Sequence, residues 1–312
     1  MDFVVGTEWA NARLDRVLAA KLNLSRSKVA TLVASANVKI GEAVVLDRSR
    51  TLLVGQRVWV DDAALMAVSS NLLTADDQVN YDVVYVDDHL AVVDKPAGLV
   101  VHPSGGHRDK TLVNGLLARF PELSSSWRGS PERVGIVHRL DRHTSGLMVV
   151  ALSDEARIGL TEQLAKREIH RSYTALVVGS VEDDHGLIDA PIGRSTRHPE
   201  QMTISVTGKS ARSYYKVLHR YYLPYPMTLL EVSLDTGRTH QIRVHTAAIG
   251  HPILGDSLYG GDRARALARD MLPHRHFLHA HALFFVHPVT SVPVESRSPL
   301  PLELTEVLRG LK

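Results

Sequence analysis

Between His138 and Gly146 the chain reads HRLDRHTSG, which sets Asp141 between Arg139 and Arg142 just before the apolar run LMVVAL. A carboxylate among arginines at the edge of a buried strand can be a surface ion pair, a loop cap or a reactive group. The stretch GRTHQIRVHTAAIGHPILGD supplies Arg238 and Arg243 as partners for it. At an effective dielectric near 20, opposite charges about 4 Å apart attract by roughly 4 kcal/mol. Burial costs several kcal/mol per ion, so a carboxylate in a dry pocket needs such a partner to stay ionised. An ionised, positioned carboxylate is a nucleophile, whereas one with a raised pKa is an acid. The arginine-rich setting points to the nucleophile.

Other chemistries find less support. The chain has no cysteine, which excludes disulfides, thiolate nucleophiles and cysteine-ligated zinc. Seventeen histidines invite a metal, and the densest group is His274, His276, His279 and His281 in PHRHFLHAHAL. Period-two alternation would put 279 and 281 on one strand face, but no HExxH or comparable ligand set accompanies them, and structural histidines are expected. GGHRDKT, 105–111, lacks the spacing of a phosphate-binding loop. Ser145 lies in TSG rather than in a nucleophile elbow.

The elements that must hold Asp141 are legible from periodicity. Val83 to His102 predicts a β-hairpin around Asp87-Asp88, and Thr111 to Phe120 a helix. Leu147 to Leu152 predicts a buried strand, followed by a helix capped at Ser153 and ending at Lys166-Arg167. Strand composition recurs at 172–179, 211–218, 228–235 and 278–286, and 241–249 is helical with Gly250 at its end. Strands rarely alternate with helices, so the fold class is α+β. The main domain, 81–312, should carry a mixed, largely antiparallel β-sheet flanked by helices.

Ahead of it, RLDRVLAAKL and SRSKVATLVAS predict two short helices, the second capped by Ser25, with NVKIGEAVV and TLLVGQRVWV as a covering hairpin. Residues 1–60 hold nine Lys/Arg against five Asp/Glu, whereas 61–90 hold seven Asp and no Lys or Arg. A small basic α/β domain over 1–62 and an acidic linker over 63–80 follow from that contrast. Arg13, Arg16, Ser25, Arg26 and Lys28 are the candidates there for contacting an anion. Total charge is only +2, and 44% hydrophobic content marks a folded protein. No apolar run approaches the length that spans a bilayer and the start lacks a leader pattern, so a cytoplasmic location is expected.

HRLDRHTSGLMVVA resembles the catalytic-aspartate motif of the RluA-type pseudouridine synthases. The flanking segments VDDHLAVVDKPAGLVVHPSGGH, EIHRSYTALVVG, PIGR, GKSARSYYKV, GRTHQIRVH and RHFLHAHALFFVHP resemble further family blocks in the same order, over roughly 80–290. RLDRVLAAKLNLSRSKVATLVASANVKIG is similar to the small RNA-binding domain named after ribosomal protein S-four, which precedes this catalytic domain in the RluD-like subgroup. That resemblance implies isomerisation of uridine in RNA, most directly large-subunit ribosomal RNA, without metal or cofactor. It implies Asp141 as nucleophile, Tyr173 stacking on the base, Arg243 pairing with Asp141, Leu278 closing an apolar floor and Arg139 filling the space left by a flipped nucleotide. Arg142 and His143 either contact phosphate or are solvated. A monomer with no obligate protein partner is expected. Where the small domain commonly has Gly before its first strand and an Asn-Gly turn, this chain has Ala36-Asn37 and Gly41-Glu42.

Two alternatives belong to other classes. A non-catalytic RNA-binding or ribosome-assembly protein of the same fold would have no reason to keep Asp141, Tyr173 and Arg243 together. A metal-dependent hydrolase built on the histidines would be inhibited by chelators.

Overall fold

The computed structural model of the chain describes residues 1–312 except 23, 25, 70–72, 104–108 and 124–132. Ser25 and most of the 105–111 stretch therefore lie outside the described residues. The chain divides into two compact units, Met1–Leu72 and Leu73–Lys312.

The first unit runs β1 (Asp2–Val4), α1 (Leu14–Leu22), α2 (Arg26–Ala34), β2 (Val38–Ile40), β3 (Ala43–Val44), β4 (Arg57–Val60) and α3 (Asp62–Ser69). Its strands form one sheet in the order β1-β4-β2-β3. The helical spacing of Leu14, Val17 and Leu18 packs them on Val29, Leu32 and Val33 and on the inward residues Val38, Ile40, Val58 and Val60. Two expectations need correction. The expected hairpin is a four-stranded sheet, because the three-residue β1 is too short to show periodicity and pairs the outer edge of β4. Helix α3 occupies the start of the stretch where clustered acids suggest a linker; Ala64 and Leu65 pack against the small core, a gain that outweighs the flanking charge. Ala36 takes a left-handed φ of 59° at the position where Gly is usual, and Gly41 supplies the φ of 61° that the β2–β3 turn requires.

The second unit contains β5 (Asp82–Val86), β6 (Leu90–Lys95), α4 (Leu112–Arg119), β7 (Ser145–Ala151), α5 (Asp154–Lys166), β8 (His170–Val178), β9 (His185–Asp189), β10 (Ile192–Arg194), β11 (Met202–Ile204), β12 (Arg212–Tyr221), β13 (Met227–Leu234), α6 (Gln241–Ala248), α7 (Gly261–Met271), β14 (Leu278–Val286), β15 (Pro293–Arg297) and α8 (Leu302–Arg309). Its main sheet runs β5-β6-β7-β14-β8-β13-β12-β9, with β15 pairing β14. Among the described residues β7 and β14 pair in parallel and the other pairings are antiparallel. The α+β class with a mixed, largely antiparallel sheet therefore holds. Strand β7 is buried on both faces, Met148 and Val150 on one side and Leu147, Val149 and Ala151 on the other, which is why its sequence is a continuous apolar run.

The β7–β14 junction positions the site. Gly146 has φ 114°, and a Cβ there would come within 2.3 Å of the Ala280 carbonyl oxygen. Only glycine lets the two strands meet. After β7, Ser153 accepts a hydrogen bond from the Ala156 amide at 3.2 Å and starts α5, as its N-cap position predicts.

Candidate active site

Asp141 lies four residues before β7, in a turn closed by the Thr144 amide donating to the Asp141 carbonyl at 3.1 Å. Its neighbours lock that turn. The Thr144 hydroxyl meets His276 Nε2 at 2.7 Å, and Ser145 meets His279 Nδ1 at 2.9 Å and accepts from Arg275 Nη2 at 2.8 Å. From the other side Lys95, fully buried, donates from Nζ to the carbonyls of Pro96, Leu99 and Arg142 at 2.8, 2.9 and 3.1 Å. Three carbonyls match the three donors of an ammonium and tie the β6 turn to the Asp141 loop. Burial, aided by Arg275, nevertheless pushes the Lys95 pKa down to about 7, while Asp141 and Asp94 oppose the shift.

The Asp141 side chain is 17% exposed, and its Oδ2 accepts from Arg243 Nη1 at 3.0 Å. Arg243 comes from α6. Its Nε and Nη2 donate to Asp256 Oδ2 and Oδ1 at 2.7 and 2.9 Å, so one guanidinium is shared by two carboxylates. Asp256 is fully buried and also accepts from the amides of Leu258 and Tyr259. The Tyr259 ring lies 5.1 Å from the guanidinium carbon of Arg243. Burial raises the Asp141 pKa, but His240, Arg243 and His276 together with the Arg243 hydrogen bond outweigh it, and the carboxyl sits below its ordinary value. Burial drives His276 down to about 3, so at neutral pH Arg243 is the permanent cation of the three.

His240 stands at the head of α6 with φ 56° and places Nε2 3.9 Å from Asp141 Oδ1. Its Nδ1 lies 2.8 Å from the Tyr259 hydroxyl, which accepts the Met202 amide. A Tyr259 proton donated to Nδ1 leaves the Nε2 proton facing the carboxylate, the arrangement that electrostatics favours.

These groups open onto a cavity of about 340 Å³ lined by Asp141, Tyr173, Arg243, Leu278 and Arg139, the sequence-predicted set for the main domain. Tyr173 on β8 is 5% exposed and pairs with Ala280 of β14; burial raises its pKa. Leu278 is 3% exposed at the start of β14, and Arg139 is exposed at the cavity with Nη1 3.4 Å from His102 Nε2. Arg142 donates to the Gly98 carbonyl at 3.1 Å. Asp256, Lys95 and His240 are absent from the sequence-predicted set. Asp256 lies thirteen residues beyond Arg243, and only its place after a glycine in HPILGD hints at a structural role. Among the described residues no group of His, Asp or Glu is assembled as a metal set.

In the first unit the predicted anion contacts divide. Arg13 is held by Asp15 through Nε and Nη2 at 3.1 and 2.9 Å, while Arg16 and Arg26 are exposed and Lys28 is half-buried.

A half-buried carboxylate held below its ordinary pKa at a cavity with both polar and apolar walls is a candidate active site, and comparison with known proteins gives the class of the chain. A family model for RNA pseudouridylate synthases matches residues 89–248, a span that contains Asp141, Tyr173 and Arg243. Ribosomal large subunit pseudouridine synthase D of Xylella fastidiosa is 40% identical over 97% of this chain and 90% of its own length. The enzyme of the same name from Pseudomonas aeruginosa is 40% identical over 98% of this chain and 93% of its own. The solved structure of human RNA pseudouridylate synthase domain containing 1 superposes with a TM-score of 0.59 at 29% identity, covering 75% of this chain and 88% of that one. The chain belongs to the RNA pseudouridylate synthase family, in its RluD-like group.

Proposed function

We propose that the protein isomerises specific uridines of large-subunit ribosomal RNA, with Asp141 as nucleophile and the target base turned out of its stack into the cavity. The observation that carries this reading is the Asp141 carboxylate, held at the cavity by Arg243, which Asp256 clamps in turn. The relatives' names, over nearly the full chain, favour the ribosomal substrate.

In the reaction the N1–C1′ bond breaks, the base turns, C5 bonds to C1′, and the C5 proton is lost as N1 gains one. No water is consumed. Extruding a base costs a few kcal/mol, and stacking on an aromatic ring returns roughly 1–3 kcal/mol. Tyr173 supplies that ring, Leu278 the apolar floor, and Arg139 occupies the gap left in the RNA. Shielding from water protects the intermediate from hydrolysis to an abasic site.

Residues 1–62 act as an S-four-like RNA-binding domain, in which exposed Arg16 and Arg26 meet phosphates. The protein works in the cytoplasm; among the described residues no helix is long and apolar enough to cross a membrane. Mapping pseudouridines across total RNA with and without the gene tests the reading. Loss of one or more sites in large-subunit ribosomal RNA is expected, and an unchanged map contradicts it.

A further inference from the structure

Four lysine or arginine side chains are buried among the described residues of the protein: Lys95, Arg171, Arg243 and Arg275. Three have partners. Lys95 binds three carbonyls, Arg243 two carboxylates, and Arg275 donates to Glu303, to the Ser145 hydroxyl and to the Leu278 carbonyl. Arg171 is 8% exposed, its Nε is buried without a hydrogen-bond partner, and no described residue forms an ion pair with it. A guanidinium with a buried, unpaired Nε at a cavity wall is a group that gains from an anion brought by a ligand.

Arg171 lies on β8 two residues before Tyr173, on the same strand face, and lines the same cavity. The site is shaped for it. The guanidinium lies over Gly237, where any Cβ would stand 2.8 Å from Nη1.

A second donor in the cavity wall is also unpaired. His138 Nε2 accepts from the Val149 amide at 3.1 Å, so the neutral ring carries its proton on Nδ1, and Nδ1 is buried without a partner. Burial, with Arg171 nearby, drives the His138 pKa down to about 3, which keeps the ring neutral. Arg133, Arg139 and Arg238 line the cavity too, against the carboxylates of Asp141 and Asp235, and the Asp141 charge already belongs to Arg243.

We propose that Arg171 and the His138 Nδ1–H form a phosphate-binding corner of the cavity that receives a backbone phosphodiester of the RNA. The proposal rests on the reading of this cavity as the RNA site and adds a residue that fixes where the strand enters. A phosphodiester suits the corner because it is charged at every working pH, and its paired oxygens match the fork of a guanidinium.

The test compares full-length wild type with Arg171→Met by thermal melting and by equilibrium binding of a ribosomal RNA transcript at several salt concentrations. The free variant should melt at or above the wild-type temperature, bind RNA about ten- to a hundredfold more weakly, and show a log–log salt slope shallower by about 0.7. A lower melting temperature or failure to fold, with Arg171→Lys binding as wild type does, assigns the residue a structural role and overturns the proposal. Weakened binding by Arg171→Lys, with the salt slope kept, supports it. Inorganic phosphate that raises the melting temperature of wild type but not of Arg171→Met also supports the corner. The same phosphate effect with unchanged RNA affinity assigns the corner to free phosphate and overturns the RNA assignment. Failure of the wild type to convert uridine would sink the isomerase reading and leave these affinity comparisons standing.

Discussion

Two arginines line the same cavity in opposite electrostatic states. Arg243, its side chain 6% exposed, is paired with both Asp141 and Asp256, one bond from each of its three nitrogens. Arg171 is nearly as buried and has no described partner. Under the proposed function, the difference would separate machinery finished before RNA arrives from a site that RNA completes. A carboxylate meant to react needs a fixed counter-charge, because binding energy spent assembling it would be lost from the chemical step. A contact that positions the strand gains from being left open.

The comparison breaks most easily at Asp256. Asp256→Asn removes one charge from a fully buried pair and turns an acceptor toward Arg243 into a donor, so a stability loss of about 3–5 kcal/mol is expected, with activity falling alongside. Chemical denaturation measures it, and a loss below about 1 kcal/mol would mean that Arg243 is held by something else.

In the same cavity, Tyr173→Ala should weaken productive binding by the roughly 1–3 kcal/mol of one base stack, whereas Tyr173→Phe retains the ring and should stay close to wild type. Steady-state kinetics on one transcript separates them. Indistinguishable values for the two variants would remove the stacking role.

Acid should weaken the surroundings of both arginines. His138, near Arg171, and His276, near Arg243, are held neutral, each with its pKa depressed by burial from 6.5 to about 3. The unfolded chain takes up these protons near pH 6.5 while the folded chain does not until about pH 3, so stability falls as pH drops through that window. The slope is up to ~1.4 kcal/mol per pH unit for each group. Asp141 and Asp256, with lowered pKa values, add stability that is present above the ordinary carboxylate value and lost only in stronger acid. Denaturation midpoints from pH 7 to 4 test this, and a flat profile would contradict it.

The smallest effect serves as a control. Ala36 in the first unit has a left-handed φ that costs an L-residue roughly 1–2 kcal/mol, so Ala36→Gly should stabilise that unit by about 1 kcal/mol. Conversion kinetics at the cavity should not move, and a changed catalytic rate would show that stability and cavity chemistry are coupled.

Much of this architecture was legible in the residues. The run before Leu152 reads as a strand buried on both faces because both faces are apolar, and Ser153 announces the next helix. Helix α7 is hard to read because GDRARALARDM is rich in charge, although Ala264, Leu267, Ala268 and Met271 follow a helical stripe. Strands β10 and β11 are three residues each, too short for alternation to register. At the site, resemblance to a family points to Asp141, Tyr173 and Arg243, which line the same cavity. Asp256 and the open valence of Arg171 were hidden, because partnership between distant charges is decided by the turn at Gly255 and the space over Gly237, which pairwise sequence spacing does not encode.

The central claim is that the ionised Asp141 performs the chemistry while the rest of the cavity binds. Conversion of uridine in a ribosomal RNA transcript by purified Asp141→Asn, with RNA affinity measured on the same preparation, tests it most directly. Pseudouridine formation at background, with affinity within a few-fold of wild type, is expected. Turnover at the wild-type rate would place the reactive group elsewhere.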